Sequence, residues 1–297
     1  MIGIRIVKPE VEFITPKYMP TEWKNQLLLI EECGRVSHRS EGRMKEGTCE
    51  PFIKKIAMKY GHESIIEHGV FTVCFVCDRS CSHQIVRHRL AAYTQESQRY
   101  CDYSDTSRWE ALGLELVDQD DAHVVLEDHG RPEKGHSILN VIMPHSIAGR
   151  EVSEMLAGKT IFRTEGMDWD TLVTKAGSDQ MTLRQLLLEL ASTKSFDPEK
   201  LTNVYEWATG QIIAYSYYLG ARERGIPSED ARSHLTNACR TLVYSTYNFR
   251  EWRHFFKMRS DSHAQWQIRI LATNVLKFFK EEIPVITTGY EVNPEWL

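Results

Sequence analysis

Residues Gln84–Tyr100 read QIVRHRLAAYTQESQRY, and how this stretch folds decides what the rest of the chain can build around it. It sets Arg87, His88, Arg89 and Arg99 among the hydroxyls and amides of Tyr93, Thr94, Gln95, Ser97 and Gln98, with Glu96 as its one acid. If Ser80–Arg87 closes a helix, Gln84, Arg87 and His88 stand at i, i+3 and i+4 and share one face. If the residues beyond are extended, Tyr93, Gln95, Ser97 and Arg99 alternate onto one side of a strand. Both halves then address a single anionic ligand. A guanidinium is a planar fork that suits phosphate and the paired polar edges of a nucleobase, so three arginines point to a nucleotide more than to a simple acid. The plainer alternative is a solvated basic surface.

Toward the N-terminus, Gly69–Asp78 is a β-branched and aromatic run, the pattern of a central strand feeding that helix. Cys74, Cys77, Cys81 and His83 invite a zinc reading, but positions i and i+3 of a strand face opposite ways, and no second CxxC follows; no metal is expected. The preceding block, His62–His68, reads HESIIEH just after Gly61. A zincin needs histidines four apart on one helical face, whereas a six-residue step rotates about 600° and opposes them. Further out, Cys49–Tyr60 is a short amphipathic helix stopped by Gly61. Ser37–Gly47 is a polar loop. Thr21 caps a helix with Leu27, Ile30 and Cys33 inward, and Ile2–Ile14 opens the chain as a strand ending in a turn near Pro16–Pro20.

Toward the C-terminus, residues 101–196 are turn-rich and acidic (DQDDAH, HGRPEKGH), with one helical piece, MTLRQLLLELA. Pro198–Gly225 reads as one long helix in which Tyr205, Ala208, Ile212, Tyr215 and Leu219 form a packing stripe. Pro227 and Ser228 start another helix, PSEDARSHL. Cys239–Tyr247 is strand-like, and Asn248 is a good N-cap for the helix that follows. On that helix Asn248, Trp252, Phe255 and Arg259 return to within about 40° of one another, so its polar ends can bracket a flat ligand. Asp261–His263 restarts a helix that Pro284 ends, and its apolar stripe suits core or a subunit interface.

The chain has 297 residues, 42% apolar and 26% charged, enough for a substantial core. No run approaches the roughly 18 apolar residues of a membrane span, and MIGIRIVKPEVEF lacks the apolar core of a signal peptide, so a cytoplasmic protein is expected. A net charge of −5 argues against binding a nucleic-acid polymer, which requires neutralising many phosphates at once. Seven cysteines without secretory context favour reduced thiols.

Three blocks now fall into register. Arg87-His88-Arg89, seven residues, Ser97 and then Arg99-Tyr100 resemble the signature of the flavin-dependent thymidylate synthases; His62-Glu63-Ser64 with Glu67-His68 resembles that family's upstream element; Asn248-Phe249-Arg250 leading to MRSDSHAQWQI (Met258–Ile268) is similar to its C-terminal helix. VIMPHSI is similar to the family's short Pro-containing segment. The resemblance covers most of the chain outside residues 101–196. It implies an α+β fold, a central mainly antiparallel sheet flanked by long helices, in one domain over 1–297 with an inserted subdomain somewhere within 101–196.

The chemistry it implies is reductive methylation of dUMP to dTMP, with FAD reduced by NADPH supplying hydride and methylenetetrahydrofolate the one-carbon unit, in a homotetramer with shared active sites. Carried over by position, Ser64, Arg87, His88, Arg89, Gln95, Asn248, Phe249, Arg250 and His254 contact FAD. Gln84, Arg87, Gln95, Glu96, Ser97, Gln98, Arg99, Arg232 and Arg259 surround dUMP. His62 faces the folate, and Arg259 is catalytic. Making C5 of uracil nucleophilic pushes negative charge onto the ring, which an arginine near N3 and O4 favours. No cysteine nucleophile is then required. Two positions depart from the family: Thr94-Gln95 stands where members have Asn-Glu, and His254 where others carry a different polar residue. Two other classes make distinct predictions: a flavin-free nucleotide-binding regulator is colourless, and a metal-dependent hydrolase carries stoichiometric zinc.

Overall fold

The computed structural model describes residues 2–104, 137–162, 180–182 and 198–297. Its strands are β1 (Ile2–Ile6), β2 (Glu10–Phe13), β3 (Val70–Asp78), β4 (Ala91–Gln95), β5 (Ser137–Val141), β6 (Thr160–Phe162), β7 (Gln180–Thr182) and β8 (Arg240–Asn248). They form two four-stranded sheets, ordered β5-β1-β6-β7 and β2-β3-β8-β4. The chain divides into two compact units interleaved in sequence. The first comprises Met1–Lys8, Asp78–Ser80 and Glu96–Thr241; the second comprises Pro9–Cys77, Cys81–Gln95 and Leu242–Leu297.

The mixed α/β character and the antiparallel pairs match expectation, but there are two sheets where the sequence suggested one. In the second unit β2 pairs antiparallel with β3, and β4 with β8. In the first, β1 runs parallel to β5 and antiparallel to β6, and β6 runs parallel to β7. The expected single strand Ile2–Ile14 is instead β1 and β2, which belong to different sheets. They part at Lys8-Pro9, where proline offers no backbone N–H to continue a ladder. A short helix, Ile14–Tyr18, stands where a turn was expected.

The second unit is built on β3, buried at nearly every position as a strand covered on both faces must be. Phe71 and Phe75 on it meet Trp252 and Phe255 of the helix Phe249–Arg259, with Phe75 stacked on Phe255 at 5.8 Å. Trp252 is buried and its indole N–H donates to the Phe71 carbonyl at 3.1 Å, so its polar atom is satisfied. As expected, Asn248 caps this helix: its Oδ1 accepts from the Glu251 backbone N–H at 2.8 Å. The next helix, Trp266–Glu282, starts later than Asp261. Asp261 closes a local turn by accepting from the His263 N–H at 2.9 Å, and Gln265 is the cap, accepting from Gln267 N at 2.9 Å and Ile268 N at 3.2 Å. Gly69 lets β3 and the cap meet: a Cβ there would lie 2.5 Å from the Phe249 ring. Gly61, at φ +75°, ends the turn before the His62 block, which is itself a 3-10 helix, Glu63–His68.

The first unit packs the long helix Pro198–Glu223 through Val204, Ala208, Ile212, Tyr215 and Leu219. Tyr205 is 41% exposed; Val204 holds the inward position and the phenol faces out. Asp102 pins the segment following the signature to this helix, taking Arg222 Nη2 at 2.5 Å and Nε at 3.0 Å and the Tyr218 hydroxyl at 3.0 Å. Burial pushes this carboxyl up, but Arg222, Ser104 and Tyr218 outweigh it and hold it far below the usual range. The piece MTLRQLLLELA and most of the expected insertion lie outside the described residues. Among the described residues no helix is long and apolar enough to cross a membrane.

Candidate active site

Of the signature, the second unit contains residues up to Gln95. The helix Arg79–Ile85 ends in a turn, with the Arg87 and His88 backbone N–H groups bonding to Gln84 O and Ile85 O. Tyr93 on β4 fixes that turn: its hydroxyl donates to the His88 carbonyl at 2.5 Å and sits 3.1 Å from the Tyr247 hydroxyl. Burial pushes the Tyr93 phenol up to about 12, so it remains a donor at neutral pH.

The His88 side chain, 5% exposed, is the hub. Its Nδ1 lies 2.9 Å from Glu251 Oε1, and its Nε2 accepts from Arg259 Nε at 3.0 Å. Arg259 Nη2 donates to the Gln84 carbonyl at 3.3 Å, and among the described residues its Nη1 has no partner. An arginine only donates, so Nε2 carries the lone pair and Nδ1 the proton; Glu251 is therefore the acceptor. Burial, Arg259 and His254 together lower the His88 pKa to about 4, so the imidazole is neutral at pH 7. Burial also raises the Glu251 carboxyl, with His254 opposing. The His88–Glu251 contact has ion-pair geometry, yet these two shifts both favour the uncharged forms; the hydrogen-bond directions above make the neutral ring the donor and Glu251 the acceptor.

The other second-unit candidates divide by exposure. Arg87 and Arg89 are exposed, and among the described residues their guanidinium groups have no hydrogen-bond partner. His62, Ser64 and His254 are exposed, the last with its ring 5.5 Å from that of His88. Arg250 is held by Glu67 at 2.5 Å and Glu63 at 3.7 Å. Gln95 donates to the Ser82 hydroxyl at 2.9 Å. Phe249 is 1% exposed and belongs to the core, and the Asn248 side chain is occupied as a cap.

The first unit holds the remaining candidates. The extended run ends at Gln95 instead of continuing through Arg99. Ser97 starts a turn, its carbonyl accepting from Cys101 N at 2.8 Å and its hydroxyl from Arg99 N at 3.2 Å, a local bond that competes with a ladder. Glu96 faces inward, bonded to Arg240 at 3.1 Å and to the Tyr103 hydroxyl at 2.8 Å. Gln98 is buried, with no hydrogen-bond partner for its Nε2 among the described residues. Arg99 and Arg232 converge on Glu229, Arg99 Nε on its carboxylate at 2.6 Å and Arg232 Nε on its carbonyl at 2.9 Å.

Seven thiols are present, and Cys74, Cys77 and Cys81 are buried. Among the described residues the group with metal-ligand chemistry is His88, Glu251 and His254, whose ligand atoms lie within 4.8 Å of one another. A cation there would meet the Arg259 guanidinium on the same imidazole, an unfavourable charge pairing. Glu251 is the site residue the sequence reading passed over. Its signal was an acid three residues after the cap, the spacing of a capping box, although its side chain turns to His88 instead.

A family model described as "Thymidylate synthase complementing protein" matches residues 19–285. The chain is similar to the flavin-dependent thymidylate synthase of Pyrococcus furiosus, 28% identical over 260 residues, 87% of this chain and 73% of that protein. That of Thermococcus kodakarensis is 30% identical over 268 residues, covering 90% and 77%. That of Mycobacterium avium is 25% identical over 288 residues, covering 95% and 88%.

Proposed function

The chain belongs to the flavin-dependent thymidylate synthase family and is an enzyme of that class, and from this premise we propose that it methylates dUMP reductively to dTMP through Arg259. FAD is the flavin, NADPH its reductant and methylenetetrahydrofolate the one-carbon donor. The observation carrying this reading is the Glu251–His88–Arg259 chain: it holds a guanidinium with a spare Nη1 beside the Gln84 carbonyl.

FAD suits the residues present. Arg87 and Arg89 offer exposed guanidinium donors for its phosphates, and Ser64, Arg250 and His254 lie on the same unit's surface. Bound and reduced, the flavin supplies the hydride. His88 serves from within, its neutral ring bearing on Arg259 rather than on ligand, while Phe249 and Asn248 set the helix that carries Arg250, His254 and Arg259. Arg259 stabilises negative charge on the uracil ring as C5 becomes nucleophilic, an effect strengthened where water is excluded. Gln84 and Gln95 present amides for ring recognition; Gln95, standing where family members have a carboxylate, keeps one acceptor oxygen and adds a donor. Arg99 and Arg232, with Ser97 and Gln98, are assigned to dUMP, and Glu96 to holding that segment through Arg240. His62 is assigned to the folate side.

The active enzyme is proposed to be a cytoplasmic homotetramer with shared sites, and the chain one enzymatic domain over 1–297 elaborated by an insertion within 101–196. An absorbance spectrum of the purified protein, with and without added FAD and dUMP, tests the reading. Flavin bands that shift on adding dUMP, with NADPH oxidation accelerated by dUMP, are expected. A colourless protein that binds dUMP unchanged by FAD overturns it in favour of a regulator, and stoichiometric zinc with chelator-sensitive activity overturns it in favour of a hydrolase.

A further inference from the structure

We infer that Glu251 is a positioning residue that fixes His88 as the Nδ1-protonated tautomer and thereby aims the Arg259 guanidinium. The inference rests on the proposed role of Arg259, but its structural half stands apart from it. Three facts carry it. Glu251 Oε1 is 2.9 Å from His88 Nδ1, Arg259 Nε is 3.0 Å from His88 Nε2, and both Glu251 (6% exposed) and His88 (5%) are shielded from bulk water.

A neutral imidazole has one donor and one acceptor nitrogen, and the wrong tautomer would set Nε2–H against Arg259 Nε–H. Water at such depth cannot repair that confrontation. A buried carboxylate on Nδ1 removes the choice, because it accepts and does not donate. The ring is also held against rotation. It packs edge-on against Phe255 at 4.9 Å and lies 6.2 Å from Tyr247, while the Glu251 backbone is anchored by the Asn248 cap. Each link is thus fixed by the one before: cap, carboxylate, imidazole, guanidinium. The serial arrangement matches that by which a second layer of hydrogen bonds orients a working group, where losing one partner typically costs 10–100-fold.

The test combines Glu251→Gln and Glu251→Asp with the wild-type enzyme. A glutamine is nearly isosteric, but its amide either accepts from Nδ1–H or donates to a bare Nδ1, so only the Arg259 contact is left to favour the Nδ1-protonated form. An aspartate retains the acceptor-only group. Nitrogen-15 NMR of histidine-labelled protein, assigned by comparison with His88→Gln, reads the tautomer directly. We expect wild-type His88 to be protonated at Nδ1 alone, Glu251→Gln to show mixed tautomers, and Glu251→Asp to restore the single form. In Glu251→Gln, dUMP-dependent turnover should fall roughly 10–100-fold with the KM for dUMP little changed, the mark of a loss felt in the transition state. Glu251→Asp should recover most of it.

Protonation at Nε2 in the wild type overturns the proposal, as does Glu251→Gln with wild-type turnover. Should Glu251→Gln not fold, the wild-type tautomer and the turnover of Glu251→Asp decide it. Failure of the dUMP reading would look different: no turnover in any variant, with the wild-type tautomer still as stated.

Discussion

Arg259 of the second unit and the pair Arg99 and Arg232 of the first are held in opposite ways. In the second unit Arg259 is braced by a buried histidine, which is braced by a buried carboxylate, inside a wall of aromatic rings. In the first, Arg99 and Arg232 rest on Glu229 in the open, with side chains of Arg99 and Glu229 56% and 45% exposed. A buried, satisfied chain is preorganised and costs little further ordering when a ligand arrives, whereas an exposed ion pair is screened and easily exchanged for a phosphate. The contrast supports the proposed division of roles, with chemistry given to the braced guanidinium and ligand capture to the exposed ones.

Removing the wall should have the largest effect. Trp252→Ala deletes a fully buried ring between β3 and the helix bearing Arg259, and should lower stability by about 3–5 kcal/mol in equilibrium denaturation. A loss below about 1 kcal/mol would mean that the second unit is not held by this packing.

Acid comes next. His88 has its pKa lowered to about 4 from an ordinary 6.5, by burial first and then by Arg259 and His254. Between those two pH values the unfolded chain takes up a proton that the folded one refuses, so stability falls as pH falls through the window, by up to about 3 kcal/mol. Glu251, raised by burial, works in the opposite sense, and Tyr93 and Tyr247 stay neutral throughout. Melting temperature against pH should therefore lose part of its acid slope in His88→Gln. An unchanged slope would place the proton elsewhere.

The smallest effect belongs to the first unit. Arg99→Ala should change stability by less than about 1 kcal/mol, because its pair with Glu229 is solvated, while weakening dUMP about tenfold by isothermal titration. A large stability loss with normal dUMP affinity would reverse the assignment of capture and bracing.

What was legible in the sequence was local. The strand Val70–Asp78, the cap Asn248 and the helix Phe249–Arg259 each declare themselves within a dozen residues, through alternation, cap chemistry and helical spacing. What was missed depends on distance or on competition. His88 and Glu251 are 163 residues apart, and no periodicity connects them. The first sheet adds to β1 three strands of three to five residues, too short for a pattern to build, in a region that reads as turns. At Ser97 the side chain bends the backbone that alternation had extended, and at Tyr205 one helical position separates a core residue from an exposed one. Arg87, Arg89 and Arg99 stand out because their residue type announces anion chemistry, whereas Arg232, Arg250 and Arg259 come from the family resemblance; which of them is braced is in neither, since bracing is a tertiary property.

The proposed role of the Arg259 guanidinium is to drive carbon transfer to dUMP. Mass spectrometry of the nucleotide formed from dUMP, NADPH and carbon-13 methylenetetrahydrofolate by the FAD-loaded enzyme tests it most directly. Labelled dTMP is expected from the wild type and roughly 100–1,000-fold less from Arg259→Lys, with the variant still binding FAD. Labelled dTMP formed by Arg259→Lys at the wild-type rate would contradict it.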